Sequence, residues 1–207
     1  MRKSTLLTII CLVVISVSFV TIECAQTKEE ELTLRIPEIK GYISASQLTG
    51  RNYPVVEFPL EIHNFKNRTI TLCGIEYVLF LNDEYFGGCI VSIEENTLIS
   101  IAIFEDSVEG KKDIQRIKKE SQVEEAVYDP EFSICGCGCD IPAFTIATLR
   151  NEVGSENLTA EALIKSALSG KRVKVNWRIY ALIYFKISKE TIRFSYNTEL
   201  TGISSYY

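Results

Sequence analysis

The stretch from residue 173 to residue 187 reads Val-Lys-Val-Asn-Trp-Arg-Ile-Tyr-Ala-Leu-Ile-Tyr-Phe-Lys-Ile. Every second residue, from Val173 to Ile187, is apolar. Because side chains alternate between the two faces of a strand, this pattern predicts one long strand with a buried face. The opposite face is polar at both ends, at Lys174 and Lys186, and we expect it to be mostly solvated. At about 3.3 Å per residue the strand would extend about 50 Å, which favours a bend or a bulge. One dry face and one wet face are typical of an antiparallel sheet.

The rest of the chain repeats this alternation in short runs separated by turn signals. Residues 159–169 depart from this alternation, since they combine an apolar stripe at helical spacing with a capping Thr159 and a following Gly170. We therefore expect an antiparallel β-sandwich with one short helix near the C-terminal end. The predicted strands cover about residues 32–36, 41–48, 56–62, 69–81, 85–93, 98–104, 141–149, 173–187 and 191–200.

Residues from about 105 to 139 interrupt the β pattern. The segment 111–120 is highly charged, and its apolar residues Ile114 and Ile117 form only a thin stripe at helical spacing. Such a stripe predicts a peripheral, exposed helix, so we interpret this region as an insertion or flap.

The N-terminus carries a membrane signal. Arg2 and Lys3 precede an apolar run at 6–22, and an acidic group follows at 29–31. This order predicts a signal-anchor or transmembrane helix in residues 1–25, with a cytoplasmic N-terminus and an extracytoplasmic domain. Cleavage of the segment, which would give a secreted protein, and lipidation at Cys24 are alternatives. Residues 26–31 are predicted to be an acidic spacer, residues 32–202 the sandwich, and residues 203–207 a tail.

Charge and composition exclude several function classes. A formal net charge of −5 argues against a nucleic-acid partner, which would require a basic face. The chain has a single histidine, His63, and so a His-rich zinc site cannot be built. We find no pair of nucleophile and base and no phosphate-binding loop, and we therefore expect no enzymatic activity.

Three segments share an order and spacing with a known family. Residues 58–88 contain two apolar strands separated by Asn64 and Asn67, and Phe86-Gly87-Gly88 follow the second strand. Residues 141–143 read Ile-Pro-Ala at the start of a strand, and a helix then leads through Gly170 into the long strand. In this arrangement, residues 32–202 resemble the group 2 late-embryogenesis-abundant family, defined by the WHy (water stress and hypersensitive response) domain.

The resemblance implies an immunoglobulin- or fibronectin-III-like sandwich, association with stress and desiccation tolerance, and no catalytic site. Many members carry an N-terminal membrane segment. It also implies that Asn64 and Asn67 are structural turn residues, although Phe65 follows Asn64 where the family usually has proline. The insertion at 105–139 and its cysteines have no counterpart in the family.

The cysteine cluster is the sharpest local signal. Cys135, Cys137 and Cys139 alternate with glycines, and only a curled loop would bring their sulfurs within reach of one copper or zinc ion. An extracytoplasmic domain favours disulfides instead, with Cys73 and Cys89 as further candidates. Metal ligands, disulfides and free thiols all remain open at this point.

Two sequons, at Asn67 and Asn157, are candidate glycosylation sites on the exported side. The leading interpretation is a non-catalytic, membrane-anchored domain that binds or stabilises other molecules, with a protein partner that the sequence does not identify. The alternatives are a thiolate metal-binding or redox-linked surface protein and an adhesion or assembly subunit.

Overall fold

The computed structural model describes residues 32–45, 50–94, 97–123, 127–128, 138–155, 157–187 and 190–205. The chain divides into two units, Met1–Glu31 and Leu32–Tyr207, and every described element belongs to the second. The predicted N-terminal helix lies outside the described residues. Among the residues that are described, no helix is both long and apolar enough to cross a bilayer.

The first sheet, sheet A, is organised on the long strand β3. One edge of β3 pairs with β1 at one end and with β2 at the other, and its second edge pairs with β9 over ten residues. All of these pairs are antiparallel, whereas β12 adds to β2 in parallel. The strands of sheet A are β1 (Leu32–Arg35), β2 (Lys40–Ala45), β3 (Asn52–Asn64), β9 (Thr145–Gly154) and β12 (Ser204–Ser205).

The second sheet, sheet B, is antiparallel throughout and follows the order β6-β5-β4-β10-β11-β7, with β8 beside one end of β4. Residues 176–187 of the long alternating stretch form β10, in the middle of that order. The strands of sheet B are β4 (Ile70–Leu81), β5 (Glu84–Glu94), β6 (Thr97–Ala102), β7 (Val127–Tyr128), β8 (Cys139–Ile141), β10 (Asn176–Ile187) and β11 (Glu190–Thr201).

The mainly β architecture with two antiparallel sheets confirms the predicted sandwich class. The apolar face of β10 lies in the main core, where Trp177, Ile179 and Phe185 are fully buried. The Trp177 ring meets Phe86 edge to face at 5.2 Å, and its indole N–H donates to the carbonyl of Gly202. The predicted helix near the C-terminal end is present as α2 (Leu158–Leu168), whose Ala160 and Ile164 enter the same core.

The second face of β10 contradicts the expectation of a mostly wet surface. Leu182 and Tyr184 are buried beneath a helix, α1 (Val108–Glu120), together with Val78 of β4. The helix predicted at 111–120 is present and exposes its outer residues, but Ile117 is completely buried, so the helix packs on the sheet more closely than expected. The outer face of sheet B therefore packs against α1, and the two form a second, smaller hydrophobic core.

Side chains of β10 and β11 hold α1 in place. Ser195 and Asn197 donate to the carbonyls of Glu120 and Ser121 at the end of the helix, and Arg193 binds the Glu120 carboxylate at 2.6 Å. The ammonium group of Lys118 lies 4.9 Å from the Phe80 ring centre and 5.7 Å from that of Tyr180. Polar contacts therefore compensate for the thin apolar stripe of the helix.

A β-bulge moves Cys73 to the face opposite the one that simple alternation with Ile75 and Tyr77 predicts. In the pairing of β4 with β10, Gly74 lies opposite Tyr184 and Leu72 opposite Phe185, so Cys73 is the extra residue. A bulge shifts the alternation by one, and Cys73 consequently lies in the small core under α1 and not in the main core. The bulge that the length of β10 suggested is thus found in its partner strand.

The predicted tail at 203–207 begins as part of the fold. Ser204 and Ser205 pair with Lys40 and Gly41, which extends sheet A beyond the expected boundary at residue 202. Tyr206 and Tyr207 lie outside the described residues.

Candidate functional site

The cysteines differ in chemical state. Cys73 is disulfide-bonded, whereas Cys89 and Cys139 are free thiols. The partner of Cys73 therefore lies outside the described residues, as do Cys135 and Cys137. Since Cys89 pairs in register with Tyr77, four positions from Cys73, the two thiols are separated by about 13 Å along the strand. That separation prevents a bridge between Cys73 and Cys89.

Cys89 and Cys139, also predicted as disulfide candidates, have different surroundings. The Cys89 sulfur lies in the core, 2.8 Å from the Ser100 hydroxyl. Burial, with a contribution from Cys89, raises the pKa of its cross-strand neighbour Tyr77 well above the ordinary value. Cys139 is exposed on β8 and is the one member of the predicted metal triad that the structure describes. Within the described ranges, no group of three or more His, Cys, Asp or Glu side chains could hold a metal ion.

The side chain of Asn64 connects two loops of the fold. It is completely buried at the end of β3. Its two amide N–H groups are shared among the carbonyls of Arg68, Ile141 and Pro142, 2.9–3.1 Å from Nδ2, and its oxygen accepts from the backbone N–H of Lys66. One side chain therefore ties the β3–β4 loop to the segment between β8 and β9.

Beside Asn64, three apolar side chains project into solvent. Phe65, Ile146 and Phe144 are 51%, 61% and 71% exposed, and we call this group the aromatic end. Ile146 lies opposite His63 in the register of β9 with β3, and the His63 and Phe65 rings are 6.0 Å apart. Phe144 has a φ of 55°, a left-handed conformation that costs a bulky residue about 1–3 kcal/mol.

The two sequons occupy different environments. Asn67 is exposed in the β3–β4 loop, and Arg68 and Thr69 beside it are exposed as well. Asn157, and not the predicted Thr159, caps α2, since its side-chain oxygen accepts from the backbone N–H groups of Thr159 and Ala160. Glycosylation modifies the amide nitrogen, and the capping oxygen of Asn157 would remain in place.

A charged pair is buried under α1. Glu76 of β4 is 7% exposed, and its carboxylate accepts from the Arg116 guanidinium at 2.7 Å. Arg116 also binds Asp113 at 3.0 Å. Burial opposes the charge of Arg116, but the hydrogen bonds and charges of Glu76 and Asp113 outweigh it and raise the pKa of the guanidinium. The ion pair between Glu76 and Arg116 therefore links α1 to the sheet.

Two concave surfaces were not predicted from the sequence. A cleft of about 410 Å³ lies between α2 and the β4–β5 hairpin, where Asn82, Glu84 and Tyr85 face Asn157 and Leu163. A second cavity, of about 240 Å³, is lined almost entirely by apolar residues and opens beside Cys139. Both are formed by residues distant in sequence, and no local pattern announces them.

No family model matches the chain, and no curated protein matches it. Among solved structures, it is similar to a protein from Archaeoglobus fulgidus, with 11% identity and a TM-score of 0.36, over 81% of this chain and 97% of the other. It is also similar to a target of the Northeast Structural Genomics Consortium, with 8% identity and a TM-score of 0.39, over 84% of this chain and 89% of the other.

Proposed function

We propose that this protein is a membrane-anchored, extracytoplasmic domain of the WHy type that acts without catalysis, by binding or stabilising other molecules under stress. In this proposal the sandwich is of the immunoglobulin or fibronectin-III kind, with α1 as an addition to the family pattern. The N-terminal order of basic, apolar and acidic residues supports the anchor, and α2 before the long strand β10 supports the family resemblance.

The observation that carries the location is the disulfide at Cys73. Disulfides persist in oxidising compartments and are rare in the cytosol, where thiols are kept reduced. The oxidised Cys73 and the predicted orientation of the N-terminal segment therefore support the same side of the membrane.

The location is tested with the full chain expressed in cells. We expect the protein to remain in the membrane pellet after alkaline carbonate extraction. We also expect a protease that is added to intact cells to remove the domain. A chain that stays in the soluble cytosolic fraction with Cys73 reduced would overturn the proposal.

The protective activity is tested by drying and rehydrating a labile reporter enzyme with vesicles that carry the protein. We expect more recovered reporter activity than with vesicles that carry an unrelated anchored β-sandwich at the same surface density. Equal recovery in both would leave the anchor intact and rule out protection of this client.

The second candidate is a thiolate metal-binding or redox-linked surface protein. The free, exposed thiol of Cys139 beside the 240 Å³ cavity favours it, since this cysteine belongs to the Cys135–Cys139 cluster. Copper and zinc analysis of the purified chain, with and without Cys139→Ser, distinguishes the two functions. Metal that is bound by the natural chain and lost in the variant would favour this candidate.

A further inference from the structure

We propose that the aromatic end, formed by Phe65, Phe144 and Ile146, rests on the lipid surface of the membrane that holds the N-terminal segment. The inference relies on the anchoring in the proposed function and adds to it a second, orienting contact. The occupant is the boundary between lipid headgroups and acyl chains, which accommodates exposed aromatic and aliphatic side chains.

The position at which the chain enters the domain carries this inference. The first residue of β1, Leu32, pairs with Asn64, and Phe65 is the next residue after Asn64. The apolar run ends at residue 22, which leaves nine residues, 23–31, before Leu32. A fully extended segment of that length spans only about 30 Å. In the anchored chain, Leu32 can therefore lie no more than about 30 Å from the end of the apolar run, and the aromatic end is the end of the sandwich that carries this attachment.

The structure also holds the aromatic end in a fixed arrangement. Asn64 ties the Phe65 loop to the carbonyls of Ile141 and Pro142, and the Thr145 hydroxyl donates to the same Pro142 carbonyl at 2.7 Å. Between these contacts the backbone of Phe144 keeps its positive φ while the ring remains 71% exposed. Such strain persists where surrounding contacts impose it, and here it presents a ring that contributes little to the core.

The other end of the sandwich provides a matched control. Leu158 is 78% exposed and follows the opposite end of β9 from Phe144. The ten residues of β9 span about 30 Å, so Leu158 is equally apolar and exposed but lies far from the aromatic end. A membrane contact at the aromatic end should leave Leu158 in water.

The experiment uses the full chain in phosphatidylcholine vesicles that contain a lipid with a nitroxide near the glycerol. Three variants, Phe65→Trp, Phe144→Trp and Leu158→Trp, each add one fluorophore to Trp177, which is buried and gives a common background. Since interfacial side chains enter the membrane by about 5–10 Å, we expect the nitroxide to quench the added fluorescence at least about twofold for the first two variants. For Leu158→Trp we expect no quenching beyond that of the unsubstituted chain.

Flotation of the same vesicles separates this inference from the proposed function. If the chain floats with the vesicles but the added fluorescence at 65 and 144 is quenched no more than at 158, the membrane contact is wrong and the anchor stands. If the chain does not float, both are wrong. Shielding of positions 65 and 144 from aqueous iodide without nitroxide quenching would indicate a protein occupant, such as a second copy, and would overturn the lipid contact.

Discussion

The side chain of Asn64 satisfies three carbonyls and one backbone N–H in a position that water does not reach. Asn64→Ala removes all four bonds and leaves buried polar groups unpaired, so we expect a loss of about 3 kcal/mol in the free energy of unfolding. The free energy of unfolding is measured by urea titration followed by fluorescence. Asn67→Ala, in the same loop but exposed, is the control and should leave the midpoint unchanged. Similar losses of stability in both variants would contradict the role of Asn64 in tying the two segments together.

At the buried pair under α1, Arg116→Met leaves the Glu76 carboxylate without its partner. We expect destabilisation by roughly 2 kcal/mol, less than for a fully buried pair because the Arg116 side chain is 35% exposed. The double variant Glu76→Leu with Arg116→Met should recover most of this loss. Arg178→Met serves as the control, since Arg178 binds Asp83 and Glu199 at 2.6 and 2.7 Å but lies in solvent, and we expect no measurable change. A double variant no more stable than Arg116→Met would contradict this account.

Tyr77 makes stability depend on pH at the alkaline end. Burial raises the pKa of its hydroxyl above the ordinary value of about 10. The unfolded chain therefore loses this proton near pH 10 while the folded chain keeps it, and stability falls as the pH rises above 10. Tyr77→Phe removes one such group, so the decline between pH 9 and pH 11 should be shallower than in the natural chain. If the free energy of unfolding, measured by urea titration, declines equally in the natural chain and in Tyr77→Phe across this pH range, Tyr77 does not contribute.

Among the elements, α1 offers the sharpest test of packing. Ile117→Ala opens a cavity between the helix and sheet B, and we expect a loss of about 3 kcal/mol. Val108→Ala, on the same helix but 64% exposed, should change stability little. Hydrogen exchange of β4 and β10 amides should increase only in the first variant. Equal effects would mean that α1 does not rest on the sheet.

The positions of most strands followed from local patterns, but the packing of α1 did not, and the predicted strand at 141–149 is divided between β8 and β9 by a break at Phe144. The alternation in β10 predicted its buried face, and the turn between β4 and β5 is present at Asn82 and Asp83, both with positive φ. The two isoleucines of α1 suggested an exposed helix because the apolar stripe of a helix does not show which surface the helix packs against. A stronger signal was the apolar centre of the second face of β10, at Tyr180, Leu182 and Tyr184, which required a cover.

For the molecule as a whole, the states of the cysteines form one prediction. Alkylation of the native chain should modify Cys139, alkylation after denaturation should add Cys89, and Cys73 should react only after reduction. Peptide mass spectrometry at each step identifies the modified residue. Modification of Cys73 without reductant would contradict its disulfide.

The sequence predicted a sandwich but not the contacts that bring distant residues together. Asn64 was recognised as a turn residue, yet two of its partners are 77 and 78 positions away, and no local pattern specifies such contacts. The orientation of Cys73 was missed for a related reason, since a single bulge residue reverses the facing of a strand without changing its apolar content.

The pairing of Leu32–Arg35 with β3 has a mechanical consequence. The described part of the chain begins at Leu32, and β1 runs from there into the sheet, antiparallel to β3. A pull on Leu32 away from that end acts along β1, so its hydrogen bonds with β3 resist together in shear and do not open one after another. Four residues of ladder thus hold the start of the sandwich against a force applied from its N-terminal side.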